Sequence, residues 1–126
     1  MTITEFLEAR IAEDEALARA ATPGPWESMT EETADGENIY FTVERGRVQI
    51  LDVTATDHQG RMTADFIARY DPTRALAECA AKRAVIGWWT EGLIGYVRVD
   101  GELTNPILPL AAVYKDHPDY QQEWAL

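Results

Sequence analysis

Basic residues, cysteine and histidine are all scarce in this chain. Eleven Lys and Arg stand against twenty-two Asp and Glu, for a formal charge of −11. Phosphate-backbone binding needs the opposite sign, so direct nucleic-acid binding is not expected. The single Cys79 excludes an internal disulfide, and with only His58 and His117 beside it the common structural zinc patterns are excluded too. No apolar run approaches the ~18–20 residues that span a bilayer. Met1-Thr2-Ile3-Thr4-Glu5 lacks the basic and apolar regions of a signal peptide. The expectation is a cytoplasmic protein with no membrane association and no cofactor. A Gly-rich phosphate loop, a Gly-x-Ser-x-Gly elbow and a metalloprotease helix motif are all missing, which lowers the expectation of an enzyme.

What is present suits one domain: 126 residues can bury about two thirds of their unfolded surface around one core. Thr2 and Glu5 have capping-box spacing. Ile3, Phe6, Leu7, Ile11, Leu17, Ala18 and Ala21 then share one arc of a helix over 3–21, with Arg10 and Asp14 inside that arc. Thr22-Pro23-Gly24-Pro25 ends it. From Trp26 the period becomes alternating, and Ile39, Phe41 and Val43 followed by Gly46 and Val48–Val53 read as a hairpin within a meander over about 26–54, with Thr30–Glu37 as an acidic loop. Residues 55–62 read as polar loop. A helix over about 63–70 breaks at Tyr70-Asp71-Pro72, where Asp71 caps and Pro72 opens a long helix over 72–90. Pro72, Ala75, Leu76, Cys79, Ala80, Ile86 and Gly87 share an arc of it, with Arg83 in the middle. A second hairpin with an Asp-Gly turn follows at about 96–104, then short helices at about 106–114 and 118–124. The expected class is α+β, a small antiparallel sheet packed against two long helices.

Three blocks carry a resemblance: Ala21-Thr22-Pro23-Gly24-Pro25-Trp26; Ile67 to Arg74 with Lys82-Arg83; and Tyr114 to Tyr120 with Glu123-Trp124. Their order and spacing resemble a family of short uncharacterised proteins from actinobacteria and their phages. The resemblance implies a phage or prophage setting in an actinobacterial host, and no reaction. The chain departs from the family pattern at Phe66 and Tyr70, where members often carry His, and at 91–105, where many carry a Cys-x-x-Cys segment.

Three constellations stand out. Arg10, Asp14 and Arg83 are charges on apolar arcs; they fit either an ion pair between helices or a site for an anionic ligand. Asp116 and His117 could act as an acid–base pair, because a carboxylate beside an imidazole sets its tautomer, and with Asp57 and His58 could ligate a metal. Their place in Asp116-His117-Pro118-Asp119 equally fits a turn and helix cap. Trp88 and Trp89 point about 100° apart on a helix, so one of them faces away from the core and is a candidate interface, with homodimerisation through Trp88, Trp89 or the 93–99 hairpin as one outcome. Cys79 reads as a buried, inert thiol.

The leading functional expectation is binding of an unidentified protein partner, host or phage, without catalysis. A nucleic-acid mimic is the alternative. Residues 1–37 hold ten acids against Arg10 and Arg19, and Glu5, Glu8, Glu13, Glu15, Glu27, Glu31, Glu32, Asp35 and Glu37 would form its surface. An enzyme using Asp116 and His117 is the third class.

Overall fold

The computed structural model describes residues 1–126, which form α1 (Ile3–Ala20), β1 (Glu27–Glu32), β2 (Ile39–Arg45), β3 (Val48–Val53), α2 (His58–Arg69), α3 (Pro72–Thr90), β4 (Val97–Val99), β5 (Glu102–Thr104), α4 (Leu108–Ala112) and a closing 3-10 turn (Gln122–Trp124). The class is α+β, with a three-stranded antiparallel sheet in the order β1-β2-β3 and a separate two-stranded sheet β4-β5. The chain gathers into two compact units, residues 16–77 and residues 1–15 with 78–126.

In the 16–77 unit, β2 is the central strand. Its Phe41 and Val43 point to one face, where Ala64 and Ala68 of α2 meet them, with Trp26, Ile50, Leu51, Val53 and Ile67 packed around. The helix over this sheet is therefore α2, which is longer than the 63–70 expected. Asp57 is the reason: its carboxylate accepts the Gly60 N–H at 2.9 Å and starts the helix at His58, inside the stretch read as polar loop. Gly60 is required there, because a Cβ would overlap the Ala55 carbonyl oxygen. Gly60, Ala64 and Ala68, four apart, give α2 a face of small residues that lets it lie close to the sheet. The loop between β1 and β2 is shorter than the sequence suggests, since β1 continues to Glu32.

At the start of α3, Asp71 is buried and its two carboxylate oxygens serve different partners. Oδ1 accepts the Arg74 N–H at 2.9 Å as a helix cap, and Oδ2 accepts the Trp26 N–H at 3.0 Å. The Trp26 bond holds the chain leaving Pro25 against the α3 start. A Cβ on Gly24 would collide with Thr73 and Asp71, so this approach also depends on glycine.

In the other unit, the reciprocal bonds of Thr2 and Glu5 cap α1 as the sequence predicts, Thr2 N–H to Glu5 at 2.9 Å and Glu5 N–H to Thr2 at 3.1 Å. Phe6, Leu7 and Ile11 lie fully buried with Cys79, Ile86, Ile107, Ala111 and Trp124, and burying each large apolar side chain contributes roughly 1.5–3 kcal/mol. Phe6 is the hub: the rings of Tyr114, His117, Tyr120 and Trp124 all surround it, Trp124 with a centroid distance of 5.0 Å. Of the helices expected after β5, the one at 106–114 is present as the shorter α4 (Leu108–Ala112) and the one at 118–124 as the 3-10 turn Gln122–Trp124, with tight turns between them. Tyr114 N–H bonds Ala111 O, His117 N–H bonds Tyr114 O and Tyr120 N–H bonds His117 O, all three residues back. Pro118 has no N–H to continue a helix.

Two arc assignments are corrected. Leu17 is 74% exposed, so the buried stripe of α1 does not include it. On α3 the buried line runs through Cys79, Ile86 and the half-buried Val85 and Trp89, leaving Ala80 and Arg83 exposed. No helix is long and apolar enough to cross a membrane.

Candidate functional site

The three charges singled out on helix arcs enter three different networks. Arg10 is only 8% exposed. Its Nη2 donates to Glu13 Oε1 at 2.9 Å, its Nη1 lies 2.7 Å from His117 Nδ1 and contacts Nε2 as well, and Asp119 Oδ2 is 3.9 Å away. The guanidinium also lies 5.4 Å from the Phe6 ring centroid. Its Nε, buried, has no partner. Asp14 accepts the Tyr114 hydroxyl at 2.6 Å, and Lys82 Nζ donates to the same hydroxyl oxygen at 3.3 Å. Arg83 meets Glu15 instead: Nε lies 3.1 Å from both carboxylate oxygens and Nη2 2.6 Å from Oε1. That contact, beside the Glu15 charge, raises the Arg83 pKa.

This geometry favours charge satisfaction over catalysis. His117 Nδ1 accepts the Asp119 backbone N–H at 3.0 Å and faces a guanidinium, so the lone pair a general base would use is already engaged. Asp116 is exposed beside it. His58 is exposed at the first turn of α2, and Asp57 is engaged in the cap. No group of three or more His, Cys, Asp or Glu side chains is placed to hold a metal ion. Burial, then the Asp14 and Glu15 carboxylates, push the Cys79 thiol up, which keeps it protonated and unreactive. Burial and the Asp14 hydrogen bond likewise raise the Tyr114 phenol.

Of the tryptophans, Trp88 is the one left outside, 49% exposed, while Trp89 is half-buried with its ring edge-on to Tyr96 at 5.1 Å. A second apolar surface lies on α2. Met62, Phe66 and Tyr70 are all exposed, Phe66 at 63%. They sit two residues on from Gly60, Ala64 and Ala68, about 200° around the helix, so they occupy the side away from the sheet. The Phe66 and Tyr70 rings pack at 4.7 Å, and the Arg74 guanidinium lies 4.1 Å from the Tyr70 centroid. Met62, Asp65, Phe66, Arg69 and Tyr70 line an open depression. The four-residue spacing of 62, 66 and 70 was the signal for this ridge. It is hard to see in the sequence because 60, 64 and 68 repeat at the same interval and compete to be the buried face.

Several acids of the first third are committed to neighbours. Glu5 caps α1, Glu13 holds Arg10 and Glu15 holds Arg83. On the sheet, Glu27 pairs across from Glu44, and Glu44 is buried with its carboxylate accepting the Thr42 hydroxyl at 2.5 Å. Hydrogen bonding and charge from Glu44 raise the Glu31 pKa.

No solved structure matches this chain. The model of a family of unknown function (DUF6221) matches it over residues 1–126, and the chain belongs to that family.

Proposed function

We propose that this protein acts by binding a protein partner, without catalysis, and that the Met62-Phe66-Tyr70 ridge of α2 is its contact surface. The observation that carries this reading is the exposed pair of packed aromatic rings on a helix whose opposite side is fully used by the sheet. Exposed aromatics beside arginine have the composition of binding hot spots. The ridge is locally basic in an acidic protein: Arg61, Arg69 and Arg74 stand against Asp65 and the buried Asp71. The partner segment that fits is apolar with acidic flanks. The resemblance described above suggests a phage or prophage origin, a cytoplasmic setting in an actinobacterial host, and a host or phage protein as the partner.

Nucleic-acid mimicry is the second reading, supported by Glu27 and Glu31 sharing one face of β1. It is weaker because three of the four helix-one acids that would extend the surface are already paired or capping. Capture from an actinobacterial lysate with tagged protein, at low and at high salt, separates the two. A partner held through an apolar ridge stays bound in high salt, whereas one held through carboxylates is released. Release of every specific protein at high salt would overturn the ridge reading.

A further inference from the structure

The β4–β5 hairpin is closed by Asp100 and Gly101, both at positive φ, 47° and 86°, which is the two-residue turn whose twist suits a hairpin. Val99 pairs with Glu102, Arg98 with Leu103, and Val97 with Thr104. In such a hairpin the closing pair exchanges both hydrogen bonds and successive pairs alternate. The N–H and C=O of Arg98 and of Leu103 therefore turn outward, one set on each edge. A two-stranded sheet with three residues per strand is marginal in water unless something extends it. Around it Trp88, Leu93, Tyr96, Val97, Val99 and Leu103 all remain exposed.

The two edges differ in what they would accept. Folding a second copy onto the β4 edge across a two-fold axis sets Arg98 against itself, an unfavourable like-charge pair. On the β5 edge the same operation sets Leu103 against Leu103 and Glu102 against Thr104, with no like charges opposed. Of the features that blunt an exposed edge, β5 has a short length and the flanking Glu102, but no proline or bulge, and its central residue, Leu103, is uncharged.

We propose that β5 is a self-association edge, on which a second copy of this chain adds antiparallel with the two-fold axis at Leu103, making a four-stranded sheet. Leu103 residues in a hydrogen-bonded antiparallel pair lie about 5.5 Å apart at Cα, within the roughly 4.4–6.8 Å that a disulfide spans. This edge shares no residue with the α2 ridge, so a Phe66→Ser, Tyr70→Ser variant leaves it unaltered.

Sedimentation equilibrium of the full chain at high micromolar concentration tests the edge, together with cysteine trapping. The native Cys79 is buried and serves as an internal negative control. The wild type is expected to be a dimer and Leu103→Lys a folded monomer, since Leu103 is 64% exposed in the single chain. Mild oxidation is expected to convert Leu103→Cys to a covalent dimer and to leave Val99→Cys, which is exposed on β4, largely uncrosslinked. A monomeric wild type, a dimeric Leu103→Lys, or trapping of Val99→Cys as readily as Leu103→Cys would each overturn the proposal.

Discussion

Tyr114 shows how a single side chain links the C-terminal turns to helix one. Its hydroxyl donates to Asp14 at 2.6 Å and accepts from Lys82, and its ring stands edge-on to Phe6. Tyr114→Phe keeps the ring and removes the bond to a charged acceptor, so the expected cost is about 1–3 kcal/mol in urea unfolding. The same residue sets an alkaline limit. Burial and Asp14 raise its folded-state pKa above the ordinary 10.0, so the contribution is fully present below pH 10. As pH rises beyond that, the unfolded phenol ionises first and stability falls. Unfolding curves taken across this window should be less steep in pH for Tyr114→Phe than for the wild type; equal slopes would show that the bond to Asp14 does not govern the phenol. Arg10 is the contrasting case. Its charge is buried, yet Glu13, His117 and Asp119 surround its two terminal nitrogens, so the cost of burial is offset by partners within the same unit.

Capping chemistry explains both what was legible at the scale of elements and what was not. The Thr2–Glu5 box and the Asp71-Pro72 start could be read directly because each is a local rule between neighbouring residues. The α2 start was missed although Asp57 obeys the same rule, because the helix begins with His58-Gln59-Gly60, where no apolar period is visible. Gly60 looks like a loop residue in the sequence and is a packing residue in the fold. The Arg83 partner was also missed: a buried arc one position around α3 leaves Arg83 exposed, where it meets Glu15 rather than Asp14. Such choices depend on the helix rotation that tertiary packing selects, and periodicity fixes rotation only to within about one residue, or 100°. Asp71 carries a tertiary role that sequence could not show, its bond to Trp26 N–H. Asp71→Ala removes a cap and leaves a part-buried donor unpaired, and is expected to lower stability by about 2–4 kcal/mol. A loss below about 1 kcal/mol would mean the cap acts alone.

For the molecule as a whole, charge and apolar exposure separate. The acids concentrate in the first 37 residues, while the exposed apolar clusters fall on α2 in one unit and around the β4–β5 hairpin in the other. Composition alone made the acidic third the most visible feature and drew attention to mimicry. The structure places several of those acids in caps and ion pairs and exposes instead an aromatic ridge whose spacing is masked by that of Gly60, Ala64 and Ala68. The exposure of one tryptophan was legible, because adjacent tryptophans on a helix cannot both be buried in one core. The ridge is the central claim, and the most direct measurement is the affinity of the lysate-captured partner for wild type and for the Phe66→Ser, Tyr70→Ser variant. Both rings are exposed, so the variant is expected to keep its melting temperature within a few degrees while binding falls by roughly 100-fold, the loss of two hot-spot side chains. Unchanged affinity in a folded variant would contradict the account.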